Sequence, residues 1–160
     1  MMASTIAQVA DGVVALLKTL DLPFAAEINR GYGDIDEQLE ERDKPQIDVI
    51  ANAVPDLELA TRGAWGYRID IHTVLRVRLS ALERSKVDGR LDNALIDPLV
   101  AIVEDMAELL IPKRLASLEP LDVKWFTTTI EAAYISEHLR QYGQFTGHVR
   151  TQFMVEKLIP

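Results

Sequence analysis

The sequence contains no cysteine, which excludes a disulfide framework, a zinc ribbon and a thiol nucleophile. It has only three histidines, His72, His138 and His148, and none has another at i+2, i+3 or i+4, so local metal-ligand spacing is missing. An excess of basic charge is also missing: the net charge is −8. A dedicated nucleic-acid binder needs a basic face to displace counterions from phosphates, and an anionic membrane surface attracts the same kind of face. No apolar run approaches the ~18 residues that a membrane helix needs. Met1–Lys18 has neither a basic n-region nor an unbroken apolar stretch, so it does not read as a secretory signal. The glycines form no phosphate loop, and there is no G-x-S-x-G turn for a nucleophilic serine. No catalytic constellation and no cofactor motif stands out.

What remains suits one globular domain. The chain has 160 residues, 48% of them hydrophobic and 26% charged, enough apolar material for a core and too little charge bias for general disorder. Ile6, Val9, Val13, Leu16, Leu17 and Leu20 recur at helical spacing, which predicts a helix over about 4–20 with Thr5 and Gln8 as its capping box. Strands are predicted over about 24–31 and from Gln46 to Ala53, where Pro55 ends the run, followed by a loop containing Leu57, Leu59 and Ala60. The clearest signal is strict alternation from Trp65 to Leu79. Trp65, Tyr67, Ile69, Ile71, Leu75, Val77 and Leu79 share one face; Arg68, Asp70, His72, Arg76 and Arg78 share the other. One-sided alternation of this kind belongs to antiparallel sheets. Asp88-Gly89 marks a turn, a second helix is expected over about 91–111 with Pro98 early in it, and Pro112 stops it. Val123–Glu131 and Phe145–Val155 read as the last two strands, with Ser136–Tyr142 as a turn between them. The expected fold is α+β in the order α-β-β-β-α-β-β, a mostly antiparallel sheet of about five strands with two helices on its apolar face.

Charge is unevenly distributed. Asp34, Asp36, Glu37, Glu40, Glu41 and Asp43 make one segment acidic, although Ile35 and Leu39, four apart, could tack it to the core. Arg76, Arg78, Arg84, Lys86 and Arg90 make another basic. Two complementary patches on one subunit are what a head-to-tail contact between copies requires. Arg62, Arg68, Arg76 and Arg78 are therefore candidate contact residues, with Asp36, Glu40 and Glu41 as counter-charges. Solvated loops are the simpler alternative. His72 and His148 fall on polar strand faces and could approach each other if their strands are neighbours.

Several stretches, taken in order, carry a family resemblance: the first helix and a strand ending at Arg30-Gly31-Tyr32, then Ile47-Asp48-Val49-Ile50, Leu59-Ala60-Thr61-Arg62-Gly63, and Tyr67-Arg68-Ile69-Asp70-Ile71. Near the end come Ala133-Tyr134-Ile135-Ser136-Glu137-His138-Leu139 and Gln144-Phe145-Thr146-Gly147 before the last strand. This layout resembles the tail-completion and tail-terminator proteins of tailed bacteriophages, which act at the head–tail junction. Gly147 stands where serine is expected and Ile135 where aspartate is expected. The resemblance implies a virion subunit without enzymatic activity. It would form a homo-oligomeric ring, hexameric by analogy, that caps the tail tube, joins the neck proteins and lets DNA pass through its lumen without specific binding. An acidic wall fits that role because it repels phosphate. Tyr134, His138 and Phe145 are expected to set the turn and packing before the last strand. Two alternatives stay open: another head–tail connector such as a portal adaptor, and a small ligand-binding domain or enzyme with Arg68, Asp70, His72, His148 and Arg150 as its site.

Overall fold

The computed structural model describes residues 4–40, 44–51, 56–61, 64–79, 86–87, 90–91, 93–111 and 122–158. Helix α1 (Thr5–Leu17) opens the chain. Its cap is Ser4, one residue before the expected Thr5: the Ser4 hydroxyl accepts from the Ala7 N–H at 3.3 Å. Val9, Ala10, Val13 and Leu17 form the buried stripe of this helix. Strands β1 (Glu27–Gly31), β2 (Gln46–Ala51), β3 (Asp56–Thr61) and β4 (Ala64–Arg78) follow. A two-residue pair, β5 (Lys86–Val87) and β6 (Arg90–Leu91), flanks the expected Asp88-Gly89 turn, which lies outside the described residues. Helix α2 (Asn93–Leu109) contains Pro98 in its second turn; strand β7 (Asp122–Ala132), a short helix α3 (Ser136–Gln141) and strand β8 (Gln144–Leu158) complete the order.

The fold is α+β, as the alternation and the two long apolar helix stripes indicate. The main sheet has six strands in the order β1-β2-β4-β8-β7, with β3 also on β4. Every pair is antiparallel except β1 with β2. β2 and β3 lie end to end along one edge of β4, while β8 pairs with β4 over the full length of its other edge. Two elements differ from the sequence expectation: β3 replaces a loop, and α3 replaces a turn.

On one face of the sheet Ile47, Val49, Ile69, Ile71, Leu75, Val149, Phe145 and Phe153 are buried under α1 and α2. α1 covers β1 and β2, and α2 covers β7 and β8. Helix α2 comes close to the sheet at Gly147. A Cβ placed there would lie 2.3 Å from Val103 Cγ2 of α2 and 3.3 Å from the Ala133 carbonyl oxygen. The departure from serine at this position thus has a steric cause. Gly147→Ser is expected to destabilise the chain by about 1–3 kcal/mol through overpacking, read as a lower urea midpoint at unchanged slope. Gly143, at φ 59°, makes the left-handed step from α3 into β8 that a side chain disfavours.

Candidate functional site

The second face of the sheet carries the polar side chains of the alternating strands, and its two halves differ. Parallel neighbours such as β1 and β2 cannot be joined by a hairpin, so their connection must cross a face of the sheet. Residues 32–40 begin that crossing over the polar face and roof its lower half. Leu39 N–H donates to Gln144 Oε1 at 2.7 Å, and Gln144 Nε2 donates to the Glu37 carbonyl at 3.2 Å and to Thr146 Oγ1 at 2.9 Å. The Arg76 guanidinium donates to the Asp48 carboxylate and to the carbonyls of Asp34 (2.6 Å) and Ile35 (3.2 Å). Arg78 Nη1 reaches the Leu39 carbonyl at 3.4 Å. α3 closes the same end: His138, 5% exposed, bonds Thr146 Oγ1 through Nδ1 at 2.7 Å and lies 3.4 Å from Asp36 Oδ1. Leu39 is buried and Ile35 half-buried, although neither joins the main core cluster; with these hydrogen bonds the strap is more than a solvated loop.

This arrangement relocates the expected contact residues. Arg76 is fully buried and its charge is matched by Asp48 inside the same chain, so it is not a surface contact. Two residues of the basic segment, Arg76 and Arg78, thus reach the acidic segment within one subunit, at the main-chain carbonyls of Asp34, Ile35 and Leu39. Nor is the polar face of β4 wet throughout, because Val74 is buried and Arg76 lies under the strap. Asp36 and Glu40 are exposed on the strap. Arg68 is exposed on the unroofed half, with its guanidinium 5.6 Å from the centre of the Phe126 ring. Arg62 and Glu41 lie outside the described residues. Phe145 is core, as expected, whereas Tyr134 is 50% exposed.

At the boundary of the roofed half, β4 and β8 bring His72 and His148 together. His72 Nδ1 and His148 Nε2 are 2.8 Å apart with ring centroids 4.9 Å apart, so one ring donates and the other accepts. Both rings are half-buried. Burial pushes the His148 pKa down to about 4, with His72 beside it acting in the same direction and Glu131 opposing. Burial also lowers the His72 pKa, with Arg150 adding to the effect and Asp70 opposing it. Arg150 Nε is 2.9 Å from Glu131 Oε1, an ion pair by distance whose Nε–H is not aligned for a hydrogen bond. Among the described residues no three histidine or carboxylate side chains converge to hold a metal ion.

The pair is a stability element with a definite sign. The unfolded histidines bind protons near pH 6.5 and the folded ones only at lower pH, so stability falls as pH drops from about 6.5 to about 4. After allowance for partial solvent screening, wild type is expected to lose about 1–2 kcal/mol more than His148→Gln between pH 7 and 4.5. Urea titrations of both proteins at the two pH values check this, with the difference removing the common contribution of the carboxylates.

The remaining feature is where the exposed apolar groups sit. Of the large hydrophobic side chains exposed among the residues whose side chains are described, Tyr32 (79%) follows β1, while Phe126 (51%), Ile130 (41%) and Tyr134 (50%) lie on or just after β7. Only Ile111, past the end of α2, falls elsewhere. β1 and β7 are the two ends of the sheet path. No protein-family model and no curated protein matches the chain. The site therefore has to be judged on this geometry. Both clusters are held rather than loose. Arg30 donates to Asp11 of α1 and to the Tyr32 hydroxyl, each at 2.9 Å, and stands 5.6 Å from the Tyr32 ring centre. Arg68 stands in the same relation to Phe126. Sequence analysis missed these edges because exposure at an edge depends on strand order, which no local pattern encodes. Among the described residues no helix is long and apolar enough to cross a membrane.

Proposed function

We propose that the chain is a structural subunit of the head–tail junction of a tailed bacteriophage, of the tail-terminator or tail-completion kind, that works by head-to-tail self-association into a ring. The observation that carries this reading is the placement of exposed apolar side chains at both ends of one sheet. Two different patches on opposite sides of a subunit make a heterologous contact, and such contacts close into rings or run on as filaments. Tyrosine and arginine are among the side chains enriched where binding energy concentrates at interfaces. The motif order resembling phage tail-completion proteins supplies the biological setting: a ring, hexameric by that analogy, between tail-tube and neck proteins, in the virion, with DNA passing through it. The net charge of −8 suits a lumen that must not retain DNA. A portal-adaptor role differs in ring order, which the mass of the assembly reports.

The test is the mass of the purified protein in solution by light scattering, over a range of concentration and salt. Because Arg76 is satisfied within the chain, the association rests on apolar and main-chain contacts, and the mass is expected to change little with salt. The histidine pair with Arg150 and Glu131 favours a second reading, a ligand-binding or catalytic face, and a protein that stays monomeric turns attention there.

A further inference from the structure

Resting on the ring reading, we infer that the sheet continues from one subunit to the next, with β7 of one copy pairing antiparallel to β1 of its neighbour. Strand direction permits it. β1 runs parallel to β2, and β2, β4, β8 and β7 alternate in direction, so β7 runs opposite to β1. A neighbour placed in the same orientation therefore offers β1 antiparallel to β7, the geometry with straighter hydrogen bonds.

Length fits as well. β7 is interrupted by irregularities between Trp125 and Thr127 and between Ile130 and Ala132. Bulges are a usual means of stopping a sheet from growing at its edge. Here they leave Thr127–Ile130 as one regular stretch, and β1 is a short strand of 5 residues. The bulges thus limit pairing to a short strand rather than prevent it. Among the described residues no strand pairs with the outer edge of β7 or of β1.

The side chains complete the fit. Ile130 is level with the buried Val149 and so belongs to the helix side of β7, yet is 41% exposed. Beside β1, on the helix side that Ile28 shares with the buried Ile47, lies a hollow of about 370 Å³, with Leu20, Leu22, Phe24, Ala26 and Ile28 on its walls and the charged Lys18 and Asp21 beside them. Ile130 of one copy is placed to enter the hollow of the next. The partner is thus a second copy of this chain, and the contact is an apolar knob in a hollow of mixed lining beside a row of main-chain hydrogen bonds.

The absence of cysteine makes the test clean. Asn29 and Thr129 are both exposed, and both point to the polar face. Residues opposite each other in an antiparallel pair have Cα atoms about 4.5–5.5 Å apart, within disulfide reach. The double variant Asn29→Cys/Thr129→Cys is expected to give a ladder of covalent oligomers on mild oxidation, while neither single variant cross-links. A short bis-maleimide covers a two-residue offset in register, and Glu27→Cys with Thr129→Cys replaces the pair if the first variant is unstable. Dimers from Thr129→Cys alone would show two β7 edges meeting and overturn the inference. A ring by light scattering with no cross-link from either pair would overturn it while leaving the ring intact. A monomer at every concentration, without cross-links, would overturn both.

Discussion

Replacing Arg76 by alanine is expected to cost about 3–5 kcal/mol of folding stability, as much as truncating a large core side chain. Arg76 has no exposed surface, and the Asp48 carboxylate depends on it. Burial already raises the Asp48 pKa, and the Arg76 charge is what opposes that rise. Without the guanidinium an uncompensated carboxylate stays half-buried, and the Asp34 and Ile35 carbonyls lose their shared donor, so the strap loses one of its ties to the sheet. The deficit relative to wild type is expected to shrink as pH falls toward 5. A carboxyl whose folded pKa lies above its unfolded value binds its proton more readily when folded, and protonation removes the buried charge. Urea unfolding at pH 7 and pH 5 measures both effects. Replacing the pair together, Arg76→Met with Asp48→Leu, is expected to cost much less than Arg76→Ala, because no buried charge is left unpaired. Equal losses would mean that the clamp acts through packing rather than charge.

The second large effect concerns assembly. Phe126→Lys with Ile130→Lys puts two cations where the β7 edge presents apolar surface, and one of them lies beside Arg68. The ring is expected to dissociate to monomer. Losing one central contact of this kind weakens binding by about 2 kcal/mol or more, roughly 30-fold, and each subunit makes the contact once with either neighbour. Both positions are exposed, so the unfolding midpoint of the monomer is expected to stay within about 0.5 kcal/mol of wild type. Tyr32→Ala, on the opposite edge, is expected to dissociate the ring in the same way. A mixture of the two variants then distinguishes the kind of contact. Each variant keeps one intact edge, so a head-to-tail interface yields heterodimers and nothing larger, whereas an interface built from two copies of one edge does not.

The parts of this structure legible in the sequence are those with a strong local period. The Trp65–Leu79 alternation gave β4 almost to the residue, and the apolar stripes of α1 and α2 gave two helices on one face. β3 was not legible. Leu57 and Leu59 flank only Glu58, too short a pattern to distinguish from a loop after Pro55, and β3 exists because it pairs with the start of β4. α3 has six residues, fewer than a helical period can reveal, and it forms through His138 and Leu139 docking on the sheet. One candidate contact, Arg76, was misplaced for a related reason. An arginine in an alternating strand reads as solvent-facing, and Arg76 is buried only because β1 and β2 are parallel neighbours whose connection crosses above it. That pairing is a long-range fact. His72 and His148 are an intermediate case: their face was readable, and their meeting depended on β4 and β8 being adjacent, which they are.

The most direct measurement is the molar mass of the wild-type protein by light scattering, at rising concentration and at low and high salt. A ring-forming subunit gives a mass that plateaus at a fixed multiple of 17.9 kDa and holds as salt rises. A mass of one subunit at every concentration, or one that falls apart as salt rises, contradicts association through the apolar sheet edges.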